Sequence, residues 1–154
     1  MDLELLAAKS ADIDRILPLV AAYHAFEGIA SDAAQRRSAV ERLLADRTLG
    51  GIWLVLADGE LAGYIALCRG FSIEFDGFDA FIDEFYLEAE FRSRGIGRIV
   101  LTALGREARG CGINALHLEV ARDNQRARRL YEQAGFAARD RYLLMTAVLD
   151  ERED

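Results

Sequence analysis

The sequence predicts an α/β domain in which helices pack on a mixed sheet, and three observations carry that expectation. Short runs with β-like alternation are interleaved with stretches whose apolar residues recur at helical spacing. Their order is strand, two helices, three strands, helix, strand, helix and a final strand, which builds one sheet with helices against it. In the middle of that order, a glycine- and arginine-rich stretch, Arg92-Ser93-Arg94-Gly95-Ile96-Gly97, joins a strand to a helix.

Leu3 to Ala8 reads as the first strand. Asp12 to about His24 reads as an amphipathic helix, with Ile13, Ile16, Leu17 and Val20 on one stripe. Pro18 lies inside it and removes one backbone bond, so a kink or a break is expected near Leu17. Ser31 or Asp32 caps a second helix carrying Val40, Leu43 and Leu44. Ile52–Ala57 and Leu61–Arg69 flank Asp58-Gly59-Glu60, a strong hairpin signal. A fourth strand runs from about Phe78 to Leu87, and a helix with Ile96, Val100, Ala103 and Leu104 follows Gly95. Asn114 to Ala121 is the fifth strand. Asp123 or Asn124 then caps a helix with Ala127, Leu130, Tyr131 and Ala134 on its stripe, which Gly135 ends; Arg141 to Leu149 is the last strand.

At 154 residues, 52% of them hydrophobic, the chain suffices for a single domain and one core, 1–154. The first residues, Met1-Asp2-Leu3-Glu4, are unlike a secretory leader, and no apolar run approaches the ~20 residues that span a bilayer, so a cytoplasmic, membrane-free protein is expected. A net charge of −7 argues against nucleic acid, whose phosphates demand a basic face. Cys68 and Cys111 are too few for a disulfide framework, and His24 and His117 are the only histidines, so no metal site is expected. Glu74, Asp76, Asp79, Asp83 and Glu84 precede the arginine-rich stretch, which in sequence brings acids and arginines to one place.

That stretch is an anion cradle by its chemistry. Two glycines let the backbone turn tightly, the amides opening the following helix carry partial positive charge, and Arg92, Arg94 and Arg98 add full charges. A Walker loop is excluded because the only lysine is Lys9, and a Rossmann fingerprint is excluded because Val100 stands where a third glycine would. The segment resembles the Arg/Gln-x-x-Gly-x-Gly/Ala pattern of the GNAT superfamily of N-acetyltransferases. A second cluster, Leu116 to Asn124 followed by Ala127, Leu130-Tyr131 and Gly135-Phe136, is similar to that family's next strand and helix. The likeness runs over nearly the whole chain, from Leu3 to Leu149.

The resemblance implies a GNAT fold: a mixed, mostly antiparallel sheet with helices on both faces, and acetyl-CoA lying where the fourth and fifth strands splay apart. It implies acetyl transfer to a primary amine. Arg92, Ser93, Arg94, Gly95, Ile96, Gly97 and Arg98 would hold the diphosphate, the backbone of Phe85, Tyr86 and Leu87 the pantetheine, and Asn124 another part of that arm. Tyr131 falls where many members carry the general acid. An amine of pKa ~10.4 is neutral in only about one molecule in 2,500 at pH 7, so a base is needed. Asp83 and Glu84 stand at the right place, but strand neighbours face opposite ways, so only one is expected to meet substrate directly. Alternation groups Phe81, Asp83, Phe85 and Leu87 on one face and Ile82, Glu84 and Tyr86 on the other, which leaves the choice open. Similarity to polyamine acetyltransferases favours Asp83, working through water. It also points, for amine binding, to the segment from Tyr23 to Glu27, expected on a loop after the first helix; where those enzymes carry an acid after the tyrosine, this chain has His24, and Glu27 and Glu119 are the candidates to supply the missing charge. The expected partner is a small cationic amine such as a polyamine, with protein N-termini or lysines, aminoglycosides or a non-catalytic acyl-CoA-binding role as alternatives, and with homodimer formation left open.

Overall fold

The computed structural model describes residues 1–149, so the last five residues of the expected domain lie outside the described ones. Five strands form one sheet in the order β1-β2-β3-β4-β5: β1 Leu3–Ala7, β2 Gly50–Ala57, β3 Glu60–Ser72, β4 Gly77–Leu87 and β5 Ile113–His117. The first four pair antiparallel, and β5 lies parallel to β4. Helices α1 (Ile13–Glu27) and α2 (Ala33–Ala45) cover one face; α3 (Ile96–Gly110) and α4 (Gln125–Gln133) cover the other.

Local chemistry accounts for most of these boundaries. Asp58 (φ 50°) and Gly59 (φ 81°) both adopt the left-handed conformation that a tight two-residue hairpin turn requires. Asp32 caps α2 in a capping box, accepting from the Gln35 amide at 2.8 Å while Gln35 Oε1 accepts from the Asp32 amide at 3.3 Å. The core has two parts, one on each side of the sheet. Ile16, Val20, Leu54 and Tyr64 pack beneath α1 and α2, and Val55, Ile65, Ile96 and Leu104 pack beneath α3.

Four expectations are corrected. The helix over Pro18 is unbroken and runs on to Glu27, because the missing amide costs only a bond to a first-turn carbonyl while Ile16, Leu19 and Val20 are buried around it. Tyr23 and Glu27 therefore sit on the end of α1, not on a loop. The fifth strand stops at His117 instead of Ala121. No strand forms over 141–149, where Arg139 ties the chain outside the sheet by an ion pair to Glu74 at 2.8 Å and no strand edge meets the residues that follow.

Candidate active site

The ladder between β4 and β5 holds from Phe78↔Ile113 to Phe81↔His117 and no further. Past that point β4 continues to Leu87 while residues 118–121 leave the sheet, so the two chains part and one edge of β4 loses its strand neighbour. The opening leads into a cavity of about 470 Å³ lined by α1, by the outer half of β4, by residues 118–121 and by α4.

A bulge decides what β4 presents there. Ala66 pairs with Glu84 and Leu67 with Ile82, so Asp83 is an extra residue with no partner on β3. The extra residue shifts the alternation by one. Ile82, Phe85 and Leu87 all join the core beneath α3, while Tyr86 packs with the core beneath α1. The expected grouping of Ile82 with Glu84 and Tyr86 is thereby corrected, and so is the expectation that only one acid meets the cavity: Asp83 and Glu84 both line it.

The two carboxylates differ in their surroundings. Glu84 accepts from Tyr64 Oη at 2.8 Å on one oxygen and from His24 Nε2 at 2.5 Å on the other. Because a carboxylate only accepts, the second bond places a proton on Nε2, while Nδ1 lies in hydrogen-bond contact with Ser31 Oγ at 2.6 Å. Arg36 Nη1 in turn donates to Ser31 O at 2.7 Å and to Ser31 Oγ at 3.1 Å, so the chain of donors runs from α2 through α1 to β4. Burial, then the charge of Glu84, pushes the Tyr64 phenol far above its usual value. Asp83, by contrast, is exposed and has no hydrogen-bond partner among the described residues; partial desolvation where it lines the cavity raises its carboxyl pKa, against a smaller opposing effect of His24.

Aromatic residues complete the wall. Tyr23 lies between Tyr64 and Tyr86, with ring centroids 6.5 and 6.4 Å away, and burial followed by Glu27 pushes its phenol strongly upward. Tyr131, on α4, is partly buried and packs edge-on against Phe136. Burial first and Glu27 second push its phenol up to about 12, so it stays protonated at neutral pH. Glu119 stands exposed on the wall, and no lysine or arginine is among the lining residues.

Beside this cavity, Gly95 adopts φ 78° and opens α3, whose N-terminal amides receive no side-chain cap. Ser93 is also left-handed, at φ 61°, and Arg126 of α4 donates to its hydroxyl. Gly97 admits α4 at close range, since a Cβ there would lie 2.9 Å from Leu130. Arg94 and Arg98 are exposed around the amides. Arg92 is otherwise engaged: its Nε donates to Leu87 O at 2.8 Å and its guanidinium stacks over Phe26 and Tyr86. Asn124 caps α4 by accepting from the Ala127 amide at 3.1 Å and also lines the cavity.

Residues 19–136 match the acetyltransferase (GNAT) family. The chain belongs to that family. It is 45% identical over 62 residues to the uncharacterized N-acetyltransferase YycN of Bacillus subtilis (strain 168), a stretch that spans 40% of this chain and 40% of that relative's length. Among solved structures, an integron cassette protein from the mobile metagenome of Cole Harbour Salt Marsh superposes with a TM-score of 0.83 at 29% identity, covering 95% of this chain and 91% of its own. A probable acetyltransferase gives 0.83 at 25%, covering 99% of this chain and 100% of its own. A predicted acetyltransferase of Clostridium acetobutylicum, solved with acetyl-CoA, shares the fold with a TM-score of 0.77 at 20% identity, covering 94% and 96%.

The structure of this GNAT chain thus brings Tyr23, Glu27, Asp83, Glu84, Phe85, Glu119, Asn124 and Tyr131 to one cavity. It separates the other acids from them. Glu74 pairs with Arg139, and Asp79 with His117 at 3.0 Å, so the acids do not meet the arginine loop as one group. Two partners of Glu84 escaped the sequence reading. His24 had a signal, a lone basic residue beside Tyr23, but Tyr64 had none, because its approach to Glu84 depends on the register of β3 with β4.

Proposed function

We propose that this chain transfers an acetyl group from acetyl-CoA to a primary amine of a small polycation such as a polyamine. The observation that carries the reading is one cavity, at the parting of β4 and β5, in which an unpartnered carboxylate (Asp83) and a protonated phenol (Tyr131) share a wall. Four carboxylates, those of Glu27, Asp83, Glu84 and Glu119, line it without a compensating lysine or arginine, a field suited to more than one positive charge.

The residues present fit acetyl-CoA. Uncapped amides at the start of α3, with Arg94 and Arg98, would receive a diphosphate, while the unpaired edge of β4 at Phe85 to Leu87 would receive an extended amide chain as an added strand. Arg92 holds the loop against the end of β4, and Asn124 offers its remaining amide group to the same arm. Acetyl-CoA supplies the activated acetyl group.

Asp83 accepts one proton from the ammonium, directly or through water, and its raised pKa moves it toward the neutral range where a base works best. The freed amine forms the new C–N bond as the C–S bond breaks. Tyr131 Oη donates a proton to the departing thiolate and recovers one from the second N–H of the acetylated nitrogen. One proton is released per turnover. Glu84, with both oxygens already committed, contributes charge and fixes the shape of the wall.

Thiol release from acetyl-CoA, measured with spermidine, simple diamines, N-terminal peptides and an aminoglycoside, tests the proposal. The expected result is the highest kcat/KM with a polyamine, falling as salt screens the acidic wall. Preference for peptides or neutral acceptors with salt-independent rates would replace the substrate class, and saturable acetyl-CoA binding without thiol release would replace catalysis by a binding role.

A further inference from the structure

A second cavity, of about 320 Å³, opens where α3 ends and shares no residue with the first. The 15 residues of α3, at ~1.5 Å each, put it about 20 Å from the uncapped amides at that helix's start. It exists because β1 stops short. Pairing between β1 and β2 ends at Ala7↔Trp53, while β2 begins at Gly50, and the small residues Ala7, Ala8, Gly50 and Gly51 leave the space past that end unfilled.

The cavity has an apolar floor and a basic mouth. Ile52, Leu67, Ala108 and Ile113 are its buried lining, and the half-buried indole of Trp53 lies close to Gly51, where a Cβ would stand 3.1 Å from the ring. Lys9 and Arg47 line it as exposed residues and Arg69 as a half-buried one, against a single carboxylate, Glu107. In a chain of net charge −7 with one lysine, that is a local reversal of sign, and it opposes the all-acidic wall of the first cavity. None of the three cations is in an ion pair among the described residues. Arg69 is instead held by its guanidinium lying 4.6 Å from the centre of the Phe78 ring. Two donors of this wall, Trp53 Nε1 and Arg69 Nε, are sealed from water without an acceptor, a cost that the protein itself does not relieve.

We propose that this cavity is a second ligand site, for a small carboxylate with a compact apolar body, an aryl- or alkyl-substituted acid. The body packs on Trp53 and the aliphatic floor; the carboxylate meets Arg69, with Lys9 and Arg47 at the mouth. A bare inorganic anion leaves the floor unused, and a neutral molecule leaves three cations and two donors unmatched. The volume, at the lower end of the ~300–1,000 Å³ of ligand pockets, restricts the body to about one ring or a short branched chain.

The test titrates the full chain with 3-phenylpropanoate, its neutral amide and inorganic phosphate by calorimetry, with and without saturating CoA. Trp53 is the only tryptophan, so its emission reports on the site directly. Expected are saturable binding of the carboxylate with a Kd below about 1 mM, a shift in Trp53 emission, indifference to CoA, and at least roughly tenfold weaker binding of the amide and of phosphate. Arg69→Gln should weaken the carboxylate about tenfold; should that variant fail to fold, the exposed pair Lys9→Gln and Arg47→Gln should weaken it about threefold or more. No saturable binding up to about 10 mM would overturn the proposal. Equal affinity for the amide would reduce the cavity to an apolar sink, and equal affinity for phosphate would reduce it to surface charge. Competition by CoA would move the ligand to the first cavity, and unchanged affinity in the folded variants would remove the cations from the site; each of these results also overturns the assignment.

Discussion

At the hairpin that leads into β4 and in that strand's first residues each acid has a basic side chain as partner, Glu74 with Arg139 at 2.8 Å and Asp79 with the His117 ring at 3.0 Å. At the far end of the same strand Asp83 has no partner, and Glu84 is held by neutral tyrosine and by histidine. The inner half of β4 is flanked by strands on both edges, so Asp79 meets His117 from the neighbouring β5. The outer half has lost β5 and gained a bulge, which turns two successive carboxylates toward one cavity. Asp83, exposed on the cavity wall and unmatched, remains available to a ligand.

The largest effect is expected from Asp83→Asn. If Asp83 is the base, kcat/KM for a polyamine falls roughly 10²- to 10⁴-fold while acetyl-CoA affinity is retained. The pH profile sharpens the assignment: the wild-type rate rises with pH as Asp83 loses its proton, on a limb above the usual carboxylate value of ~3.9, and the variant loses that limb. Stability should move the other way. A folded-state pKa raised above the unfolded value gives stability present at low pH and lost as pH climbs through the raised value, so Asp83→Asn should melt no lower than wild type at pH 7. A large loss of Tm would reassign Asp83 to a structural role.

Next in size, Tyr131→Phe keeps the ring against Phe136 and removes the proton donor. It should lower kcat by about 10²-fold with acetyl-CoA affinity unchanged by calorimetry. Full activity would hand the proton to water.

Glu84→Gln should act in both registers, because it discharges the cavity wall and weakens two hydrogen bonds. An increase in KM for a polyamine of about tenfold is expected, together with a loss of about 1.5 kcal/mol of stability, read from kinetics and urea unfolding. The smallest effect belongs to the paired end. Asp79→Asn, at the His117 contact, should cost about 1 kcal/mol of stability and leave kcat/KM as it was. Any comparable loss of activity there would erase the contrast between the two halves of β4.

Where a feature depends on neighbours along the chain, the sequence determined it alone. Asp58-Gly59 makes its turn from its own left-handed residues, Asp32 and Asn124 cap the helices they precede, and Gly95 opens α3 as the spacing of Arg92 to Arg98 implied. The placement of Tyr131 and Asp83 in one cavity was likewise readable, through resemblance to the GNAT pattern. What depends on register between strands was decided only in three dimensions. The bulge at Asp83 exists because Ala66 and Leu67 pair across it, and no property of residues 81–87 announces that pairing. The grip of Tyr64 on Glu84, the end of β5 at His117, the passage of Pro18 through α1 and the departure of residues 142–149 from the sheet share that origin. Each is settled by packing between segments far apart in sequence, whose energies outweigh local propensity.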